Sequence, residues 1–100
     1  TFRFEIANGN GIAGMARSVG KTLVRNGLPT PRLSNLKPYR ESLTVIEYSD
    51  GYYHEALTLW RELDRRPVLS RVSGARSKPD VRLVLGRDMR IAQNAVTNNG

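Results

Sequence analysis

Asn8-Gly9-Asn10-Gly11-Ile12-Ala13-Gly14 is the stretch on which the fold turns. Ahead of it, Phe2, Phe4 and Ile6 alternate with Arg3 and Glu5, the period of a half-buried strand. Behind it, Ile12, Met15, Ala16, Val19 and Leu23 fall at helical spacing, which predicts an amphipathic helix over Ile12–Arg25. The Asn/Gly run between them is therefore a tight strand-to-helix turn. Asn26-Gly27 supplies a left-handed stop at the end of the helix. Pro29 and Pro31 keep it from resuming.

Working outward, Arg32 to Leu36 reads as a short strand. Leu43 to Tyr48, rich in β-branched residues, is the best strand in the middle of the chain. Ser49-Asp50-Gly51 is a turn. Ala56, Leu57, Trp60 and Leu63 form a second helical stripe that begins near Tyr52 and stops before Pro67. Val68 to Val72 reads as another strand, Ser73 to Pro79 as a polar, basic loop. Val81 to Leu85, almost continuously apolar, suits a central strand. The order is β-α-β-β-α-β-β. It predicts an α+β, two-layer sandwich, ferredoxin-like or related, with two helices on one face of a mixed sheet. Residues 1–92 make one domain, and the polar tail 93–100 is expected to be disordered.

A chain of 100 residues has room for one modest core. It starts at Thr1 in a strand pattern and reads as a piece of a longer protein. No apolar run reaches the roughly 20 residues of a membrane helix. The absence of cysteine excludes disulfides and cysteine-based zinc sites. The net charge is +7, carried mostly by arginine, whose planar fork suits phosphate and carboxylate groups. That balance fits an anionic partner, whether nucleic acid, a lipid headgroup surface or an anionic wall polymer, and fits equally a charge that only keeps the domain soluble.

Gly9-x-Gly11-x-x-Gly14 has the form of a dinucleotide fingerprint. The chemistry also needs an acid about 20 residues on, to hold a ribose hydroxyl. Asn26 to Lys37 contains none, and the element order is read as lacking the parallel strands of a nucleotide crevice. No cofactor is expected. The glycines serve the turn, and the amides of Asn8, Gly9, Asn10 and Gly11 are candidates at most for holding a small anion. His54 is the lone histidine, without a second ligand for a metal or a partner for a triad. The carboxylates show no paired acid/base arrangement, so no catalytic residue is nominated and the domain is not expected to be an enzyme. Arg17, Lys21 and Arg25 recur every fourth residue, on the side of the first helix opposite Met15 and Val19, with no acid at helical spacing. Glu62, by contrast, has Arg65 or Arg66 to pair with. Arg17, Lys21 and Arg25 are the main candidates for binding an anionic polymer; Arg71, Arg76 and Lys78 form a second basic cluster. The alternative is a nucleic-acid-binding domain, which rests on charge and sheet topology alone, since no aromatic RNA-binding motif is present.

Four segments carry a resemblance. They are Ile6-Ala7-Asn8-Gly9-Asn10-Gly11-Ile12-Ala13-Gly14-Met15-Ala16; Leu23-Val24-Arg25-Asn26-Gly27-Leu28; Ser34-Asn35 followed by Thr44-Val45-Ile46-Glu47-Tyr48; and Asp80-Val81-Arg82-Leu83-Val84-Leu85-Gly86-Arg87-Asp88. In order and spacing, from about Phe2 to Asp88, the chain resembles the LytR C-terminal domain family. These domains follow the catalytic domain in many LytR-CpsA-Psr cell-envelope proteins. The resemblance implies an extracytoplasmic module without established catalytic residues. Its partners would be the neighbouring domains of the parent chain and peptidoglycan, an anionic wall polymer or a protein. The stripe Arg17, Lys21 and Arg25 lies outside the family pattern.

Overall fold

The computed structural model describes residues 1–64, 66–73 and 78–89. Among these residues seven elements follow in the expected order: β1 (Phe4–Asn8), α1 (Met15–Arg25), β2 (Arg32–Asn35), β3 (Val45–Tyr48), α2 (Tyr53–Arg61), β4 (Val68–Arg71) and β5 (Val81–Leu85). The strands form one sheet in the order β2-β1-β5-β3-β4. The tail 93–100 and the middle of the basic loop, with Arg76, lie outside the described residues, as does Arg65.

The connectivity explains that order. β1-α1-β2 is a crossover unit with its strands parallel, Ile6 opposite Leu33. β3-α2-β4 is a second, with Ile46 opposite Leu69. β5 enters between the units, parallel to β1 and antiparallel to β3. The two units therefore run in opposite directions on either side of it. The structure is the related variant of the expected two-layer sandwich, and the strand needed to place Val68–Val72 is the edge strand β4. One expectation is corrected. Parallel strands are present, because each helix returns the chain to the sheet beside the strand it left.

Alternation puts Phe4 and Ile6 of β1, Val81, Leu83 and Leu85 of β5, and Ile46 of β3 on one face. Met15, Val19 and Leu23 of α1 and Ala56 and Leu59 of α2 join them in a single buried cluster, so both helices cover this face. Gly20 lets α1 pack closely against the sheet and the segment entering β2: a Cβ there would lie 3.1 Å from Pro31 and 3.5 Å from the Ile6 side chain. On the other face, Arg82 lies between two carboxylates. Its Nε donates to Glu47 Oε1 at 2.8 Å, and its guanidinium is 3.8 Å from Glu5 Oε2.

Candidate functional site

The Asn/Gly turn spends its hydrogen-bonding groups on itself and on the end of β5. Asn8 Oδ1 accepts from the amides of Asn10 (3.1 Å) and Gly11 (3.0 Å), while its Nδ2 donates to Ile12 O (2.8 Å). Asn10 Oδ1 accepts from the Ile12 amide at 3.0 Å, and its Nδ2 donates to Gly86 O at 2.8 Å. The Gly9 amide donates to Leu85 O. Asn8, Gly9, Asn10 and Gly11 thus hold the start of α1 to the end of β5. With β2 ending in Ser34-Asn35, no acid stands where a ribose would need one.

The resemblance segments around Thr44 and Gly86–Asp88 meet at the same end of the sheet. Thr44 is buried, and its amide and hydroxyl both donate to Asp88 Oδ1, at 2.9 and 2.6 Å. The Gly86 amide donates to Thr44 Oγ1 at 3.0 Å. Glu41 N donates to Gly9 O, Arg87 N to Glu41 O and Asp88 N to Ser42 O. The turn after β1, the segment entering β3 and the exit of β5 are therefore one hydrogen-bonded clasp.

Arg17, Lys21 and Arg25 lie elsewhere. All three are exposed, and none forms an ion pair among the described residues. They line a groove of about 390 Å³ between α1 and the edge strand β2. Its apolar floor is Val24, Pro31 and Leu33, with Gly20 leaving room between them. Val24 and Leu33 are 41% and 42% exposed, so the groove presents apolar surface beneath its cations. The groove continues past Arg17 and Leu33 into a depression of about 190 Å³ beside Ser34 and Asn35. The stripe was legible as a helix face. The floor was not, because it is built by a strand and a proline brought under the helix by the crossover.

Other candidates resolve into structure. Arg66 sits 4.6 Å from the centre of the Trp60 ring. Arg71 of the second basic cluster is 3.4 Å from Asp50 in an exposed pair. Tyr48 and Tyr53 meet edge-on at 5.6 Å, while Tyr52 packs against the core. His54 lies exposed in the first turn of α2. Among the described residues there is no cluster of metal-ligating side chains. Nor is any helix among them long and apolar enough to cross a membrane.

The family model described as LytR cell envelope-related transcriptional attenuator matches residues 1–88. The chain belongs to this family. No curated protein matches it. The fold is similar to the crystal structure of the soluble domain of a conserved hypothetical secreted protein from Mycobacterium marinum, with a TM-score of 0.72 and 23% identity. The match covers 87% of this chain and 60% of that one, so the present chain corresponds to little more than half of that domain. Of the segments that carry the resemblance, those around Asn8–Gly11, Thr44 and Gly86–Asp88 contribute to the clasp.

Proposed function

We propose that this domain is a non-catalytic binding module of a bacterial cell-envelope protein. It would act outside the cytoplasmic membrane and engage an anionic partner through the α1–β2 groove. The family membership and the secreted character of the structural neighbour support the location. The observation that carries the binding site is the convergence of Arg17, Lys21 and Arg25, unpaired among the described residues, on one groove with an apolar floor. Anionic wall polymer, peptidoglycan and an acidic protein segment share the chemistry such a groove recognises. Single-stranded nucleic acid fits it less well, because no aromatic side chain lines the groove to stack a base.

The test is retention on peptidoglycan sacculi bearing anionic polymer and on immobilised polyglutamate. The native domain is compared with the Arg17→Ala, Lys21→Ala, Arg25→Ala triple variant. The native domain should be retained on at least one surface and released by added salt, and the variant should pass through. Equal retention of the two proteins on both surfaces refutes the site.

A further inference from the structure

We infer that the partner of this groove is an extended acidic polypeptide that adds a strand to the free edge of β2. The inference rests on the groove being the binding site, as proposed above, and names what occupies it.

Among the described residues, β2 is the last strand on its side of the sheet and pairs only with β1. In a parallel pair, both main-chain groups of a residue turn to the same neighbour, and successive residues alternate. Leu36 N donates to Asn8 O at 2.8 Å, which sets the phase. Ser34 therefore turns toward β1, while the amides and carbonyls of Leu33 and Asn35 face the open edge. The same two residues border the groove and its continuation. A ligand lying there meets donors and acceptors in alternation. The phosphate and carboxylate groups of a polymer offer the carbonyls nothing, since their oxygens only accept, and the hydroxyls of a glycopolymer do not recur at the spacing of a strand. A polypeptide supplies both N–H and C=O at the matching spacing, the pattern of strand addition.

The charges match the same geometry. Side chains four apart on a helix rise about 6 Å along its axis. Alternate side chains of a strand, all on one face, are about 6.7 Å apart. Arg17, Lys21 and Arg25 are thus spaced to meet three successive helix-facing residues of an added strand. From Arg17 to Arg25 is about 12 Å along the helix, close to the roughly 13 Å of a four-residue strand such as β2. Glutamate at the helix-facing positions satisfies both layers, with its methylenes on Val24, Pro31 and Leu33 and its carboxylate at the cationic rim.

The experiment uses an eight-residue peptide of alternating glutamate and valine, with two further versions N-methylated on one alternate set of residues or on the other. Binding to the native domain is measured by titration, and hydrogen exchange is followed at Leu33 and Asn35. One methylated version should lose at least about tenfold in affinity, because its edge-facing amides are blocked; the other should stay within about twofold. The Leu33 and Asn35 amides should slow their exchange only when peptide is bound. Equal affinity of the two methylated versions, or unchanged exchange with peptide bound, overturns strand addition while leaving the anionic groove standing. Binding of sacculi or polyglutamate without binding of the peptide does the same. Failure of every anionic probe removes both readings.

Discussion

Replacing Gly86 by alanine puts the clasp under a load whose size the structure sets. The backbone of Gly86 lies outside the left-handed region, so alanine has no conformational objection there. The obstacle is contact. A Cβ at Gly86 would lie 2.7 Å from Leu43 O and 2.7 Å from Thr44 N, against the Leu43 carbonyl carbon as well. These are backbone atoms and cannot rotate aside. Both segments are also tied down, Gly86 N to Thr44 Oγ1 at 3.0 Å and Thr44 to Asp88 at 2.6 and 2.9 Å. Making room means overpacking strain of about 1–3 kcal/mol. Stretching the Thr44 bonds to a charged acceptor adds about 1.5–3 kcal/mol. A loss of about 3–5 kcal/mol is a large part of the roughly 5–15 kcal/mol that holds a domain of this size.

Urea denaturation followed by Trp60 fluorescence reads this directly. With a slope of about 2 kcal/mol per molar, the midpoint should fall by about 1.5–2.5 M. Gly51→Ala is the control. No atom lies within 4 Å of its added Cβ, but its φ of +90° is unfavourable to alanine, so it should cost only about 1–2 kcal/mol. A Gly86→Ala midpoint at or above that of Gly51→Ala refutes the close-approach argument.

Two further perturbations address the turn and acid stability. Asn8→Ala removes the acceptor of two amides and the donor to Ile12 O, and should cost about 2–4 kcal/mol in the same urea assay; a loss below 0.5 kcal/mol, by the usual yardstick of about that size for surface changes, is inconsistent with its role. Burial pushes the Asp80 carboxyl up, but the Arg3 amide, the Arg3 side-chain hydrogen bond and the Arg3 charge together outweigh it and hold the group below the usual carboxylate range. The folded state then binds this proton less readily than the unfolded chain. The stability is fully present above the ordinary value near 3.9 and is lost as pH falls through the lower folded value. Asp80→Asn should flatten that acid limb, and identical midpoint-versus-pH curves for native and variant proteins would rule the linkage out.

What was legible follows from which interactions are local. β5 has the bounds read from its apolar run, Val81–Leu85, because a strand covered by its neighbours needs nothing beyond that run to be recognised. The end of α1 at Arg25 was likewise marked by Asn26-Gly27. Its start was placed too early, at Ile12. Gly14 sits at a φ of 78° and the Asn8 and Asn10 side chains take the amides ahead of it, so the helix begins at Met15. Side-chain bonds of this kind leave no periodic trace. The strand order was out of reach for another reason. Alternation tells which face of β1 is buried, but not that its neighbour is β5, 77 positions on at the Phe4–Val81 pair. β2 showed only a weak signal because its residues are largely exposed on an edge.

These two classes of residue divide the domain. Three of the segments that resemble the family contribute to the clasp: Asn8 and Asn10 in the turn, Thr44, Gly86 and Asp88 at the junction of β3 and β5. The candidate groove is lined by Arg17, Lys21, Val24, Arg25, Pro31 and Leu33, most of them exposed and none bonded into the clasp. The clasp residues account for the scaffold, while Val24 and Arg25, from the segment Leu23–Leu28, line the groove, and the ligand has to be argued from the groove itself. The division has an experimental consequence. Exposed cations unpaired among the described residues contribute little to folding, so the triple alanine variant should unfold within about 0.5 kcal/mol of the native domain. Clasp variants should lose stability yet, below their unfolding transition, keep the groove's affinity. If instead the triple variant lost several kcal/mol along with binding, the stripe would be part of the scaffold and the separation of the two roles would fail.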